Sequence, residues 1–207
     1  MRGLSEPADP VAGHRLVAAL AAIDAANAAD PSSVAVRSEV LPLALAHGRL
    51  ADEWVLRLRA AEGPSEELRI AARAHHLRRW ELARREFPEG RAGYHRWKAA
   101  QRARHASDVA ALLEPLGYSD VAVARVQSLI RREHLATDAE AQALEDAACL
   151  VFIETQLAAV AERFDRDHLL DVVRKTARKM SAAGLAATAD LPMGDVEREI
   201  LAAALAG

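Results

Sequence analysis

Apolar residues recur at spacings of three and four along almost the whole chain, and that period admits little besides α-helix. "HRLVAALAAIDAANA" reads as a first helix that stops near "ADPSS". A second is expected over about Leu43 to Ala60. "GPSEE" then breaks the chain at Pro64 and offers Ser65 as an N-cap. The third helix carries Leu68, Ile70, Ala71, Ala74 and Leu77 toward Trp80 and is interrupted by "FPEGRAG"; a fourth runs from about Ala92 to Leu116. Gly117 suits a left-handed C-terminal cap, and Ser119 or Asp120 can start the amphipathic "VAVARVQSLIRREHL". Thr137 and Glu140 fit a capping box for a long helix through "EDAACLVFIETQLAAVAERF". Asp165 opens another through Met180, and a short helix follows Pro192. Hydrophobic residues are 51% of the chain but aromatics only 4%, so Ala and Leu, both strong helix formers, fill the apolar positions. The expectation is an all-α, single compact multi-helix domain over residues 1–207, its core spanning about 13–182 and its last helix about 193–206.

Several classes drop out at this level. The single cysteine, Cys149, cannot form an internal disulfide and lies in the apolar run "ACLVFI", where it reads as a small core residue. A reducing cytoplasm is the expected location. "MRGLSEPADP" has no signal-like apolar core, and no run approaches the roughly 20 residues of a membrane span, so no membrane partner is expected. There is no GxxxxGK[ST] loop, no GxGxxG, no HExxH, no paired CxxC and no nucleophile elbow.

Charge is distributed unevenly. The net charge is -3, yet between Arg69 and Arg104 eleven Lys or Arg stand against three Glu, a local balance of +8 that leaves -11 elsewhere. A basic block in an acidic chain suits a local anionic partner, although a solvated helical face would look the same. Inside it, "ARAHHLRRW" places Arg79 four residues after His75 and three after His76, with Trp80 four after His76, so a continuous helix would present imidazole, guanidinium and indole together. One core histidine and one exposed one is the plainer alternative. Arg91, Tyr94, Trp97 and Lys98 share one side of the next helix; the cations suit phosphate and the rings can wall a base, or they anchor the core. Glu145 and Asp146 open a run of almost wholly apolar residues, and carboxylates entering a buried helix need metal, arginine or backbone donors. Gln142, Glu145, Asp146 and Cys149 share a face there, and Glu133 lies one helix earlier.

The elements "AIDAANAADP", "ARAHHLRRWE", "RAGYHRWK", "GYSD", "RVQSLIRRE", "TDAEAQALEDAACLVFIE" and "VRKTARKMS", spanning roughly residues 22 to 181, resemble the domain-of-unknown-function family 4202. The family more often carries glutamine at the position of His75, which makes His76 the shared histidine. More distantly the arrangement resembles the all-helical HD phosphohydrolases, whose histidine, His-Asp pair and late aspartate gather around one or two metals. That resemblance implies an HD-like fold with His47, His76 and Asp146 as core metal ligands, Glu145 beside them, and His75 and Glu133 as acid–base groups or auxiliary ligands. Here His75-His76 stands where the motif has His-Asp. Such a donor set suits Zn, Mn, Fe or Ni.

Two functions follow as expectations. One is a metal-dependent phosphohydrolase acting on a small phosphorylated or nucleotide-like substrate, with Arg79, Arg91 and Lys98 on phosphate and Trp80, Tyr94 or Trp97 framing a ring. The other is a non-catalytic helical module that binds a nucleotide, RNA or another anionic partner through the same surface. A homo-oligomer is compatible with either.

Overall fold

The structure, a computed structural model, describes residues 10–205. The opening "MRGLSEPAD" and residues 206–207, where the last helix was expected to end, lie outside the described residues. The helices are α1 (Pro10–Asn27), α2 (Leu43–Leu58), α3 (Glu66–Ala74), α4 (Gly90–Leu113), α5 (Asp120–Arg131), α6 (Ala139–Ala161), α7 (Arg166–Ala177), α8 (Ala182–Ala187) and α9 (Asp195–Leu205). The all-α expectation holds, with α6 as the central element. Leu144, Leu150, Val151, Ile153 and Leu157 of α6 are buried on different sides of it, as a helix apolar all round requires. They pack with Trp54 of α2, Leu68 and Ile70 of α3 and Leu129 of α5 in one continuous core. Of the described helices, none is long and apolar enough to cross a membrane.

Local signals explain most boundaries. Ser65, Ser119 and Asp165 cap α3, α5 and α7, accepting from the backbone N–H groups of Leu68, Ala122 and His168. Gly117 is left-handed (φ 75°), as expected of the stop before α5. The capping box at Thr137 needs correcting by one residue. Asp138 caps α6, accepting from Glu140 N and Ala141 N, while Thr137 Oγ1 donates to His134 O. Glu140 turns away from its own helix end to accept from Ser65 N and Oγ, both at 2.9 Å. Asp138 and Glu140 are also both paired with Arg125, which draws the start of α6 to α5 and α3.

Two further differences matter. A hairpin of β1 (Ser33–Val36) and β2 (Glu39–Pro42), antiparallel with Val36 opposite Glu39, lies between α1 and α2, a stretch for which no element was expected. Its turn residues Arg37 and Ser38 are both left-handed, without the Asn-Gly signal such turns usually carry. Long-range pairing supplies the constraint instead, because the Arg37 guanidinium reaches Glu53 of α2 at 2.7 Å and Glu154 of α6 at 2.9 Å. The third helix ends at Ala74, not near Trp80. His75 and His76 therefore lie in a turn; Arg78 is left-handed (φ 49°) and Arg79–Glu81 form one 3-10 turn. The cause is tertiary: Arg78 N donates to Oδ1 of buried Asn27 on α1 at 3.1 Å. The helical spacing from His75 and His76 to Arg79 and Trp80 consequently does not apply. Close packing of α2 on α3 fixes where this turn sits, since a Cβ on Gly48 would lie 2.4 Å from Arg73 O.

Candidate functional site

The turn after α3 delivers two imidazoles into a cluster of four. His47 comes from α2, His75 and His76 from the turn, and His105 from α4. His76 stacks on His75 with centroids 4.1 Å apart and lies 5.2 Å from His47 and 6.3 Å from His105. His47 Nδ1 and His76 Nδ1 are 3.0 Å apart, while His47 Nε2 is 3.1 Å from Thr155 Oγ1 on α6. His75 Nδ1 donates to Ala72 O at 2.8 Å and His105 Nδ1 to Leu77 O at 2.7 Å, and the Nε2 atoms of both rings are buried without a partner. His47, His75 and His105 are buried, and His76 is the ring of the four that is only half-buried. Burial holds every one neutral at pH 7. It pushes His47 and His105 down to about 4, with Arg79 adding to the effect in each, and His75 down to about 3. His76 is held well below the ordinary range by burial first, then by His75 and Arg79.

Beside these rings stands a group of cations. Lys98, Gln101, Arg102 and His105 share one face of α4 by their spacing of three and four. Arg79 lies over the Trp97 ring at 4.6 Å and Lys98 over the Tyr94 ring at 5.4 Å. Trp97 Nε1 donates to Leu82 O at 3.0 Å, and the Gln101 amide donates to Arg79 O and Leu82 O at 2.9 Å each, so α4 clamps the 3-10 turn that carries Arg79. Burial lowers Arg79 and Arg102 and, with Lys179, Arg102, Arg132 and Arg79 as neighbours, takes Lys98 down to about 8. Arg132, left-handed just past α5, is pushed down to about 10 by burial and by Arg102, which still leaves it charged at neutral pH. Its ion pair is with Glu145 of α6. Among the described residues no carboxylate forms an ion pair with Arg79, Lys98, Arg102 or Lys179; the acids nearby are Glu145, paired with Arg132, and Asp146, which lies near Cys149 together with Lys98, Arg132 and Lys179.

The expected site residues divide accordingly. His47, His75, His76, Arg79, Trp97 and Lys98 belong to this connected region. Tyr94 is at its rim and 44% exposed, and Trp80 is half-buried in the same 3-10 turn as Arg79. Arg91 is exposed at the start of α4, with His95 as its neighbour at 3.4 Å. The Glu133 side chain is 46% exposed, and among the described residues its ion-pair partner is Arg131, at 3.9 Å. Asp146 accepts from Ser181 N at 2.8 Å, Ser181 Oγ at 2.5 Å and Gln142 Nε2 at 2.9 Å, which ties α8 to α6. It is nine positions before Thr155, or about 13 Å along α6 from the residue that His47 touches. His47, His76, Asp146 and Glu145 therefore do not form the shell that the HD resemblance implies. Among the described residues no three His, Cys, Asp or Glu side chains gather as a metal would require.

Gln101, Arg102, His105, Arg132 and Thr155 join the site without having been singled out in the sequence. For Gln101, Arg102 and His105 the signal was present, since they continue the face that Lys98 begins. Thr155 and Arg132 carried none, because only the packing of α6 on α2 and the turn after α5 bring them in. A family model described as "Domain of unknown function (DUF4202)" matches residues 17–201 of the chain. No curated protein and no solved structure matches it.

Proposed function

Because this chain belongs to the DUF4202 family, whose description states no activity, we propose from the chemistry of its cleft that it is a phosphohydrolase acting on a small phosphorylated, nucleotide-like substrate. The observation that carries this reading is the surplus of desolvated positive charge. Arg79, Lys98 and Arg102 lie close enough to one another to lower the Lys98 pKa, and they have no carboxylate partner among the described residues. Unbalanced buried charge is costly, and a site that holds it is arranged for a ligand of opposite sign. Two guanidinium forks and one ammonium suit the oxygens of a phosphate group. The substrate's ring would lie against Tyr94 and Trp97.

His76 supplies the base: burial and Arg79 keep it unprotonated at pH 7, and the negative charge of a phosphate group seated beside Arg79 opposes that downward shift and makes the imidazole more basic when substrate is bound. Water adds its oxygen to phosphorus and gives one proton to His76 Nε2. The ester P–O bond breaks, and the departing alkoxide takes its proton from the Lys98 ammonium. His76 then returns its proton to solvent and Lys98 regains one, so ester and water give phosphate and alcohol. Arg79 and Arg102 balance the charge that builds on the phosphoryl oxygens.

The test is turnover of a panel of phosphomonoesters and nucleotides by untagged protein, with and without added Mn, Co or Ni, alongside metal analysis of the purified chain. Release of phosphate that is lost in His76→Ala supports the reading; no turnover across the panel overturns it. A pH profile adds a second check. Lys98 is charged below about pH 8, so activity should fall as pH rises through 8. Lys98→Arg, which keeps its charge to far higher pH, should remove that alkaline limb from substrate affinity.

Exposed Tyr94 beside Lys98 favours a second reading, a stacking platform for RNA or nucleotide without chemistry. Salt-sensitive oligonucleotide binding with no turnover would select it.

A further inference from the structure

The hydrogen-bond valences around His47 decide where the protons of the cluster sit. Thr155 Oγ1 is 2.7 Å from Val151 O. Two oxygens that close need a proton between them, and the carbonyl has none, so the single hydroxyl proton is committed there. Toward His47 Nε2, 3.1 Å away, Thr155 can then only accept. His47 Nε2 therefore carries the hydrogen. The Gln156 amide has its NH2 nitrogen 3.4 Å from the same nitrogen, a contact that opposes an N–H there, and a flip of the amide, which brings Oε1 inward, removes the conflict. A neutral His47 protonated on Nε2 has its lone pair on Nδ1. His76 Nδ1, 3.0 Å from that lone pair, must bring the proton of the shared bond. What remains on His76 is an unprotonated Nε2 with no partner among the described residues.

We propose that Val151 O, Thr155, His47 and His76 form a directed hydrogen-bond chain that fixes His76 as the Nδ1–H tautomer, with Thr155 and His47 as positioning residues that leave its Nε2 as the proton acceptor of the cleft. His75 and His105 reach the same tautomer by another route, each donating Nδ1–H to a backbone carbonyl. Those two are sealed from solvent at 7% and 1% exposure, whereas His76 is only half-buried, so it is the acceptor a ligand can reach. The arrangement follows the general logic by which a histidine's far nitrogen is oriented by the partner of its near one. What the acceptor does, taking a proton from attacking water, rests on the phosphohydrolase reading above; the tautomer itself does not.

The test is long-range 15N–1H correlation NMR on the full chain with labelled histidine at neutral pH. The wild-type protein should show His47 as the Nε2–H tautomer and His75, His76 and His105 as Nδ1–H. Thr155→Ser, which keeps the hydroxyl, should preserve the pattern. Thr155→Val, which removes the acceptor, should leave His47 and His76 as mixtures of tautomers and lower kcat about tenfold or more with KM little changed. A wild-type His76 protonated on Nε2 overturns the proposal, and so does a Thr155→Val spectrum identical to wild type. If Thr155→Val does not fold, the wild-type spectrum alone decides. The expected tautomers in a protein that turns over no phosphoester would leave the chain of hydrogen bonds standing and remove the hydrolase reading.

Discussion

Burial keeps His47, His75 and His105 neutral, so acid is the condition that strains them. Below about pH 6.5 the unfolded chain takes up protons that these folded sites refuse, down to about 4 for His47 and His105 and about 3 for His75. More protons bound in the unfolded state means stability that falls as pH falls. Each site contributes up to about 1.4 kcal/mol per pH unit inside its window. Urea unfolding at pH 7.5, 6, 5.5 and 5 should show a steep loss, and His75→Gln should make the slope shallower by about one such increment. An unchanged slope would mean that His75 is protonated in the folded protein. The sequence made the adjacent pair conspicuous but could not say how it is held. The spacing of three and four holds only in a helix, and the turn that replaces it depends on Asn27, some fifty residues earlier. His105 was legible as a continuation of the Lys98 face, but its adjacent residues, Arg104 and Ala106, carry no signal of a site.

Among the elements, the start of α6 separates local from distant signals most clearly. Asp138 caps two backbone N–H groups and pairs with Arg125, which holds its carboxyl down to about 2. Asp138→Ala should cost about 1–3 kcal/mol in urea denaturation, and Thr137→Ala less than about 0.5 kcal/mol. The reverse order would restore the capping box at Thr137. The carboxyl's contribution is complete above its unfolded value near 4 and is lost as pH drops toward 2. A sequence motif of this kind is legible to within a residue, because Thr137 and Asp138 are both competent caps and Glu140 has a better partner in Ser65, contributed by α3. The hairpin after α1 was not legible. Its strands have four residues each, and Glu53 and Glu154, which hold its turn, come from α2 and α6.

For the whole molecule, the acidic balance of the chain surrounds a cationic interior, and an anion that enters should stabilise the fold as a unit. Phosphate, pyrophosphate or a nucleoside monophosphate at one hundred times its Kd should add about 2.7 kcal/mol, or roughly 5–10 °C in Tm. The gain should shrink with sodium chloride as the charges are screened. A rise no larger than that from chloride at equal ionic strength would mean that the cleft does not select phosphate. The all-helical architecture was legible because its period repeats along the chain; the site was legible only in part, because the basic block and the histidine pair mark its α4 face and its turn, whereas Thr155 of α6 and Arg132 past α5 reach it only through tertiary packing. That same centrality of α6 bears on how the protein is made. A ribosome delivers α2 and α3 long before the helix that buries Trp54, Leu68 and Ile70 has been synthesised. Until residue 161 emerges, the faces of α2 and α3 that pack on α6 are uncovered. Nascent chains arrested before α6 should therefore be held by chaperones and cut readily by protease, and those arrested beyond α7 should resist both.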